Sequence, residues 1–284
     1  MDQGPFRRAA RRPAVIGAVL LAAVAAIAVL APIVTGDPLR PDLEHGLDST
    51  GAPLAPSAHW PLGTDALGRD VWARLAHGAG HSLWVAGLAT AVASMFGATV
   101  GVIAGYRGGA VDDVAMRSVD VALTVPALLL AALLAAVMHS AGVDQDRALI
   151  VTLAALGWTT SARVIRGQVR IVRGSDYVLA ARALGAGATR VIVRHIMPAV
   201  GGLLAAVTTL ALAQNLILEA ALGYLGLGAP PPAPSWGRML AEGQPHLTQA
   251  PWLVLAPGLA IVITITAANL LGNGLRNALD PRLG

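Results

Sequence analysis

Six apolar stretches punctuate the chain: Ala14–Ala31, Ser82–Gly105, Val119–Met138, Ala148–Ile165, Ile196–Leu218 and Pro251–Leu271. Each approaches the roughly 20 residues that an α-helix needs to cross the hydrocarbon of a bilayer. Pro126 and Pro257 fall inside two of them. Such prolines read as kinks where neighbouring helices re-satisfy the freed backbone groups. The pattern predicts an all-α, polytopic membrane protein with six transmembrane helices.

The polar stretches between them complete the division. Residues 1–35 hold the N-terminus and first helix, 36–81 a polar Pro/Gly-rich loop, 82–273 five further helices, and 274–284 a C-terminal tail. Arg7, Arg8, Arg11 and Arg12 precede the first apolar run, as the n-region of a signal peptide would. The run is longer than the usual apolar core of a signal peptide, and it is read as an uncleaved first span. The 36–81 loop is long enough to be functional or disordered, and it is expected to fold at the membrane surface.

Composition sharpens this picture. Hydrophobic residues make up 55% of the 284 and charged residues 13%, well under the quarter or so typical of soluble domains. There is no cysteine, which removes disulfides, thiolate nucleophiles and cysteine-ligated metals. All twenty basic residues are arginine. Without lysine there is no P-loop of the G-x-x-x-x-G-K-[ST] kind and no Schiff-base chemistry. If ATP drives this protein, another chain hydrolyses it.

Six spans put both termini on one side, and fifteen of the twenty arginines fall on that side. Cytoplasmic loops carry the excess of positive charge, so both termini are expected in the cytoplasm. Trp60, Trp72, Trp84, Trp236 and Trp252 lie in the opposite loops or at the opposite helix ends, as an interfacial aromatic belt requires. Topology thus accounts for the basic balance. No stretch interleaves arginines with stacking aromatics, and nucleic-acid binding is not expected.

The segment Arg166–His195 is too patterned for a linker. Asp176 is placed to cap a short helix beginning at Tyr177. Gly185 and Gly187 offer a left-handed stop. Val178, Ala181 and Leu184, spaced by three, are expected to line one face. Such an alanine-rich helix suits either a partner's surface or the headgroups of membrane lipid.

Leu179-Ala180-Ala181, then Gly185 and Pro198, resembles the E-A-A-x3-G-x9-I-x-L-P signature of ABC importer permeases. Leu179 stands at the glutamate position here, and the end reads His195-Ile196-Met197-Pro198. The resemblance continues through His59-Trp60-Pro61-Leu62-Gly63-Thr64-Asp65, Leu67-Gly68-Arg69-Asp70-Val71, Gly105-Tyr106-Arg107-Gly108-Gly109, Tyr224-Leu225-Gly226-Leu227-Gly228, Pro234-Ser235-Trp236-Gly237 and the tail Ala278-Leu279-Asp280-Pro281-Arg282. In that order these are similar to C-type permeases of the dipeptide, oligopeptide and nickel branch.

The resemblance implies a type I importer fold and a non-catalytic subunit. It makes the 166–195 loop a coupling segment, with Tyr177, Ala180, Ala181, Leu184 and Gly185 against an ATPase. Implied partners are a homologous B-type permease, two ATPase subunits or one fused ATPase chain, and an extracytoplasmic substrate-binding protein docking near the 36–81 loop. ATP and Mg would be bound by the ATPase partners, and this chain would hold no cofactor. Peptides are the expected substrate class, with nickel, haem and glutathione as alternatives. An ion- or proton-coupled carrier acting alone is one rival reading, and a membrane enzyme, which would need a clustered polar site, is the other.

Polar residues in the spans give further expectations. Asn215 and Glu219 share a helix face and could line a translocation cavity with Gln214, unless Glu219 merely reaches water at the helix end. Thr90 and Ser94 serve either close helix packing or the pathway. Asp112, Arg117 and Asp120 read as a structural charge cluster in which Asp120 pairs with Arg117. His77 and His81, four apart, lack the further ligands of a metal site. No catalytic constellation stands out.

Overall fold

The computed structural model describes residues 4–278. The tail motif from Leu279 to Arg282 lies outside them, as do the side chains of Arg7, Arg8 and Arg11. The described chain is helical apart from its loops and two isolated bridges, Leu47 with Pro53 and Thr64 with Asp70. Long helices are α1 (Gly4–Val34), α2 (Val71–Arg107), α5 (Gln145–Arg173), α8 (Met197–Tyr224) and α10 (Trp252–Ala278). Shorter ones are α3 (Gly109–Thr124), α4 (Ala127–Ser140), α6 (Asp176–Ala183), α7 (Ala188–Val191) and α9 (Trp236–Gly243).

Five helical rods are long and apolar enough to cross a membrane, and α3 with α4 makes a sixth crossing if counted as one broken span. Here the structure corrects the expectation of a kinked single helix over Val119–Met138. The chain turns by 90° between α3 and α4. Val125 is extended, at φ −92° and ψ 134°, because the Pro126 ring disfavours the helical region for the residue before it. Pro257, by contrast, stays within α10.

Helix ends also move. α2 begins at Val71, capped by the Asp70 carboxylate, which accepts from the Trp72 amide at 2.9 Å. Residues 71–81 are therefore helix rather than loop; Arg74, His77 and His81 made that turn look polar. α5 runs on to Arg173, and a continuous rod from Ala188 through α7 and a π-helical turn (Ile192–Ile196) enters α8. The expected 166–195 loop contracts to Gly174–Gly187. The π turn, where the Met197 amide donates to Ile192, sits next to Pro198, which cannot donate an α-helical bond. At the other end α10 carries helix into the expected tail as far as Ala278.

The tightest packing lies between α2 and α5, which run parallel. Gly97, Gly101 and Gly105 form a stripe at four-residue spacing. A Cβ on Gly101 would sit 2.6 Å from the Ala162 carbonyl oxygen and 3.0 Å from the Arg166 nitrogen. One on Gly105 would sit 2.8 Å from the Arg166 oxygen. Without side chains in the way, the two backbones touch, the device by which membrane helices associate where burial from water supplies no drive. Gly157 returns the favour from α5, 3.1 Å from the Ala93 Cβ. Around this seam Val102, Ile165, Val169, Val172, Val178, Val191 and Ile196 form a buried cluster at the α6 end.

Outward-facing positions stay apolar. Val29 and Ile33 on α1, Val121 and Leu129 on α3 and α4, and Leu255 and Leu259 on α10 are all exposed. Patches of this extent suit lipid or another membrane chain rather than water.

Gly101→Ala should lower stability by about 1–3 kcal/mol through overpacking, whereas Gly87→Ala, with nothing within 4 Å of the added methyl, should be close to neutral. Thermal melting of the two detergent-extracted variants beside the parent checks this.

Candidate functional site

At one end of the bundle α6 projects from the junction of α5 and α7. It starts one residue earlier than expected, at Asp176, with Ser175 in the flanking position. Ser175 does not cap with its side chain, because its hydroxyl donates to the Val172 carbonyl at 2.6 Å. The stop is a Schellman arrangement: the Ala186 amide donates to Ala181 and the Gly185 amide to Arg182, both at 3.0 Å. Gly185 has φ +84° and is the residue that permits it. Gly187, at φ −66°, instead opens α7.

Burial divides α6 into two faces. Val178 is fully buried in the cluster described above. The expected Val178–Ala181–Leu184 face does not form: Leu184 is 89% exposed and Ala181 only partly buried. Six helical steps place Leu184 well round the helix from Val178. Tyr177, Ala180, Ala181 and Leu184, spaced by three or four, instead make a shallow apolar surface, with Leu179 also half exposed beside it.

α6 is joined closely to the bundle. Only Gly174 and Ser175 separate it from α5. The Arg173 guanidinium donates to the Tyr106 carbonyl at 2.5 Å, tying the end of α5 to the end of α2. Asp112 accepts from Arg166 Nε at 2.6 Å and Nη2 at 2.5 Å, a bidentate clasp of α3 on α5. Asp120 accepts from Arg163 at 2.6 Å rather than pairing with Arg117. Its expected partner is three residues away on the same helix, but the neighbouring helix brings Arg163 closer.

Polar groups in the spans meet along the seam of α2 with α8. The Asn215 amide donates to the Thr90 hydroxyl at 2.9 Å, and Thr90 donates to Ala86 at 2.6 Å. One turn on, the Ser82 hydroxyl donates to Glu219 at 3.2 Å and accepts from the Trp236 amide at 3.3 Å. Thr90, Asn215 and Glu219 are all at least 98% buried, so Glu219 does not reach water at a helix end. Gln214 lies on the exposed side of α8 and does not join them. Ser94 is also buried, on the small-residue face of α2. His81 faces Asp146 at 2.9 Å while His77 bonds its own helix at Ala73, so the two histidines diverge.

The opposite end holds a network that neither hydropathy nor motif spacing reveals. The loop before α2 is folded: Asp65 accepts from the Leu67 and Arg69 amides at 2.9 and 3.0 Å, and Thr64 joins Leu54 to Gly46. Asp65 also accepts from Arg69 at 2.7 Å and from Arg74 at 2.5 Å. Glu242 of α9 accepts from Arg74 at 2.6 Å, Arg69 at 3.3 Å and Arg238 at 2.7 Å. Burial pushes the Asp65 carboxyl up from its ordinary value, against the pull of Arg74 and the Leu67 amide. The signal was the basic residues inside L-G-R-D-V-W-A-R, whose partner lies far along the chain.

An apolar-faced helical bundle, sealed inside by small residues and a buried polar seam and carrying a short helix at one end, defines a polytopic membrane protein of the permease kind. The chain belongs to the family described as binding-protein-dependent transport system inner membrane component, whose model matches residues 97–284. It is 37% identical to the oligopeptide transport system permease protein OppC of Bacillus subtilis over 95% of this chain and 86% of the relative. It is 35% identical to the dipeptide transport system permease protein DppC of Alkalihalophilus pseudofirmus, with the same coverage.

Gly185→Ala should cost about 1–2 kcal/mol, the penalty of a Cβ in left-handed backbone, and fray α6. Faster amide exchange across residues 177–186, with α2 unchanged, is the expected reading.

Proposed function

We propose that this chain is one permease subunit of an ATP-binding cassette importer, forming half of a translocation pathway for di- or oligopeptides across the cytoplasmic membrane. The observation that carries the reading is α6: a short helix with an apolar outer face, stopped by Gly185 and held to α5 and α2 by backbone and by Arg173. A surface built so flat by Ala180 and Ala181, with Leu184 standing proud, suits a groove on a separate ATPase. Leu179 offers that partner an apolar contact where related signatures carry a charge.

Family membership supports a binding protein on the outer side, a second, homologous permease, and ATPases as two subunits or one fused chain. ATP and Mg belong to those ATPases, and this chain contributes binding and movement rather than chemistry. The names of the relatives support peptides as cargo. The positive-inside arginine distribution supports cytoplasmic termini and a cytoplasmic α6.

In this mechanism ATP closure displaces α6. The displacement passes to α5 through Gly174 and Ser175 and to α2 through Arg173 and the glycine stripe. The paired helices then rotate as one body against α8, whose polar seam with α2 fixes the axis. Thr90, Asn215 and Glu219 hold that seam beside the pathway, and Gln214 faces outward from it.

Leu184→Asp places a charge on the docking face without touching the core. ATP-dependent peptide uptake into membrane vesicles should fall by about tenfold or more, equivalent to roughly 1.4 kcal/mol of lost coupling, with the amount of chain in the membrane unchanged. Gentle detergent extraction should recover P-loop ATPases and a homologous permease with the parent and fewer ATPases with the variant. A chain that comes out alone and transports without an ATPase would overturn the proposal.

A further inference from the structure

The ionic network at the loop end lines a cavity of about 430 Å³, between the loop before α2, α9 and the Pro231–Pro232 corner. Three guanidinium groups (Arg69, Arg74, Arg238) meet two carboxylates (Asp65, Glu242), so the cluster carries one positive charge in excess. Its cations lie deep: the Arg74 side chain is 2% exposed and that of Arg69 10%. Charges buried to this degree require compensation.

The acceptors are already committed. Asp65 Oδ1 takes the Leu67 and Arg69 amides, and Oδ2 takes Arg69 and Arg74. Glu242 Oε2 takes Arg69 and Arg74, and Oε1 takes Arg238. A guanidinium carries five N–H donors, and each of the three uses only two of its nitrogens in these contacts, counting Arg238 to the Ala229 carbonyl. Donors and one unit of charge therefore remain for a further acceptor. Arg238, at 23% side-chain exposure, is the member through which an incoming group reaches the network.

We propose that this cavity is a binding site for a single carboxylate, and that its ligand is the terminal carboxylate of a peptide arriving at the outer face. Planar guanidinium forks match a carboxylate in charge and geometry. The excess of one charge matches one such group, and the remaining apolar wall, including Leu67, Met239 and Leu253, accommodates an adjoining side chain. The assignment of a peptide as the bearer rests on the permease reading above; the carboxylate site itself rests on the cluster.

The test uses the full-length chain, with the subunits that co-purify, in lipid nanodiscs. Calorimetric titration with trialanine and with trialanine amide compares ligands that differ only at the terminal group. The acid should bind at least about tenfold more tightly, because only the carboxylate offsets the cluster's excess positive charge and pairs with guanidinium as an ionised acceptor. Sodium acetate should compete with it. Arg238→Gln should abolish the preference and Arg238→Lys should retain part of it. Equal affinity for acid and amide, no binding of either, or a preference that survives in Arg238→Gln would overturn the proposal. The parent comparison decides even if the glutamine variant fails to fold. Binding with acid preference in a chain that shows no ATP-dependent uptake would unseat the permease reading and leave the site standing.

Discussion

The close approach of α2 and α5 governs the rest of the molecule. In a bilayer, apolar side chains gain little by leaving lipid for protein, so helices associate by dispersion between closely fitted surfaces. Gly97, Gly101 and Gly105 bring the two backbones into direct contact over three successive turns. α2 spans 37 residues, about 55 Å at 1.5 Å per residue. It therefore reaches from the Asp65–Arg74–Glu242 network to the Arg173 tie beside α6, and α5 follows it for much of that length. Two helices packed in this way form one continuous unit linking the two ends of the bundle.

The seam of α2 with α8 follows a different rule. Its contacts include polar pairs, Asn215 to Thr90 and Ser82 to Glu219, buried from every side. Groups of this kind gain little over the unfolded chain in a membrane, but they penalise any sliding that would leave them unpaired. The α2–α5 contact is thus rigid through shape, while the α2–α8 contact is specified by a small number of bonds.

Charge is handled at the bundle's two ends. At the α6 end Asp112 gathers Arg166 and, at 3.7 Å, Arg170, fastening the first half of the broken span to α5. At the other end three arginines and two carboxylates, drawn from a loop, the first turn of α2 and the amphipathic α9, weld segments far apart in sequence. Small residues seal the middle of the bundle, and ionic clasps fix its rims.

The class is legible in one dimension: apolar runs of spanning length and the arginine asymmetry can be read residue by residue, because a bilayer imposes the same demand on every span. Sequence by itself also located α6 and its Gly185 stop, since a left-handed stop depends on local residue chemistry. Tertiary structure decided the helix ends, the 90° break before Pro126, the outward turn of Leu184 and the partner of Asp120. The start of α2 escaped hydropathy because Arg74 is made tolerable by Glu242, 168 residues away. Gly97, Gly101 and Gly105 stood in plain view at four-residue spacing, but only α5 laid against them gave that spacing its meaning. Separately, the pairing of Asn215 with Thr90 and the exclusion of Gln214 depend on which face of α8 meets α2. That is a question of rotation about a helix axis, which a span apolar on all sides leaves open.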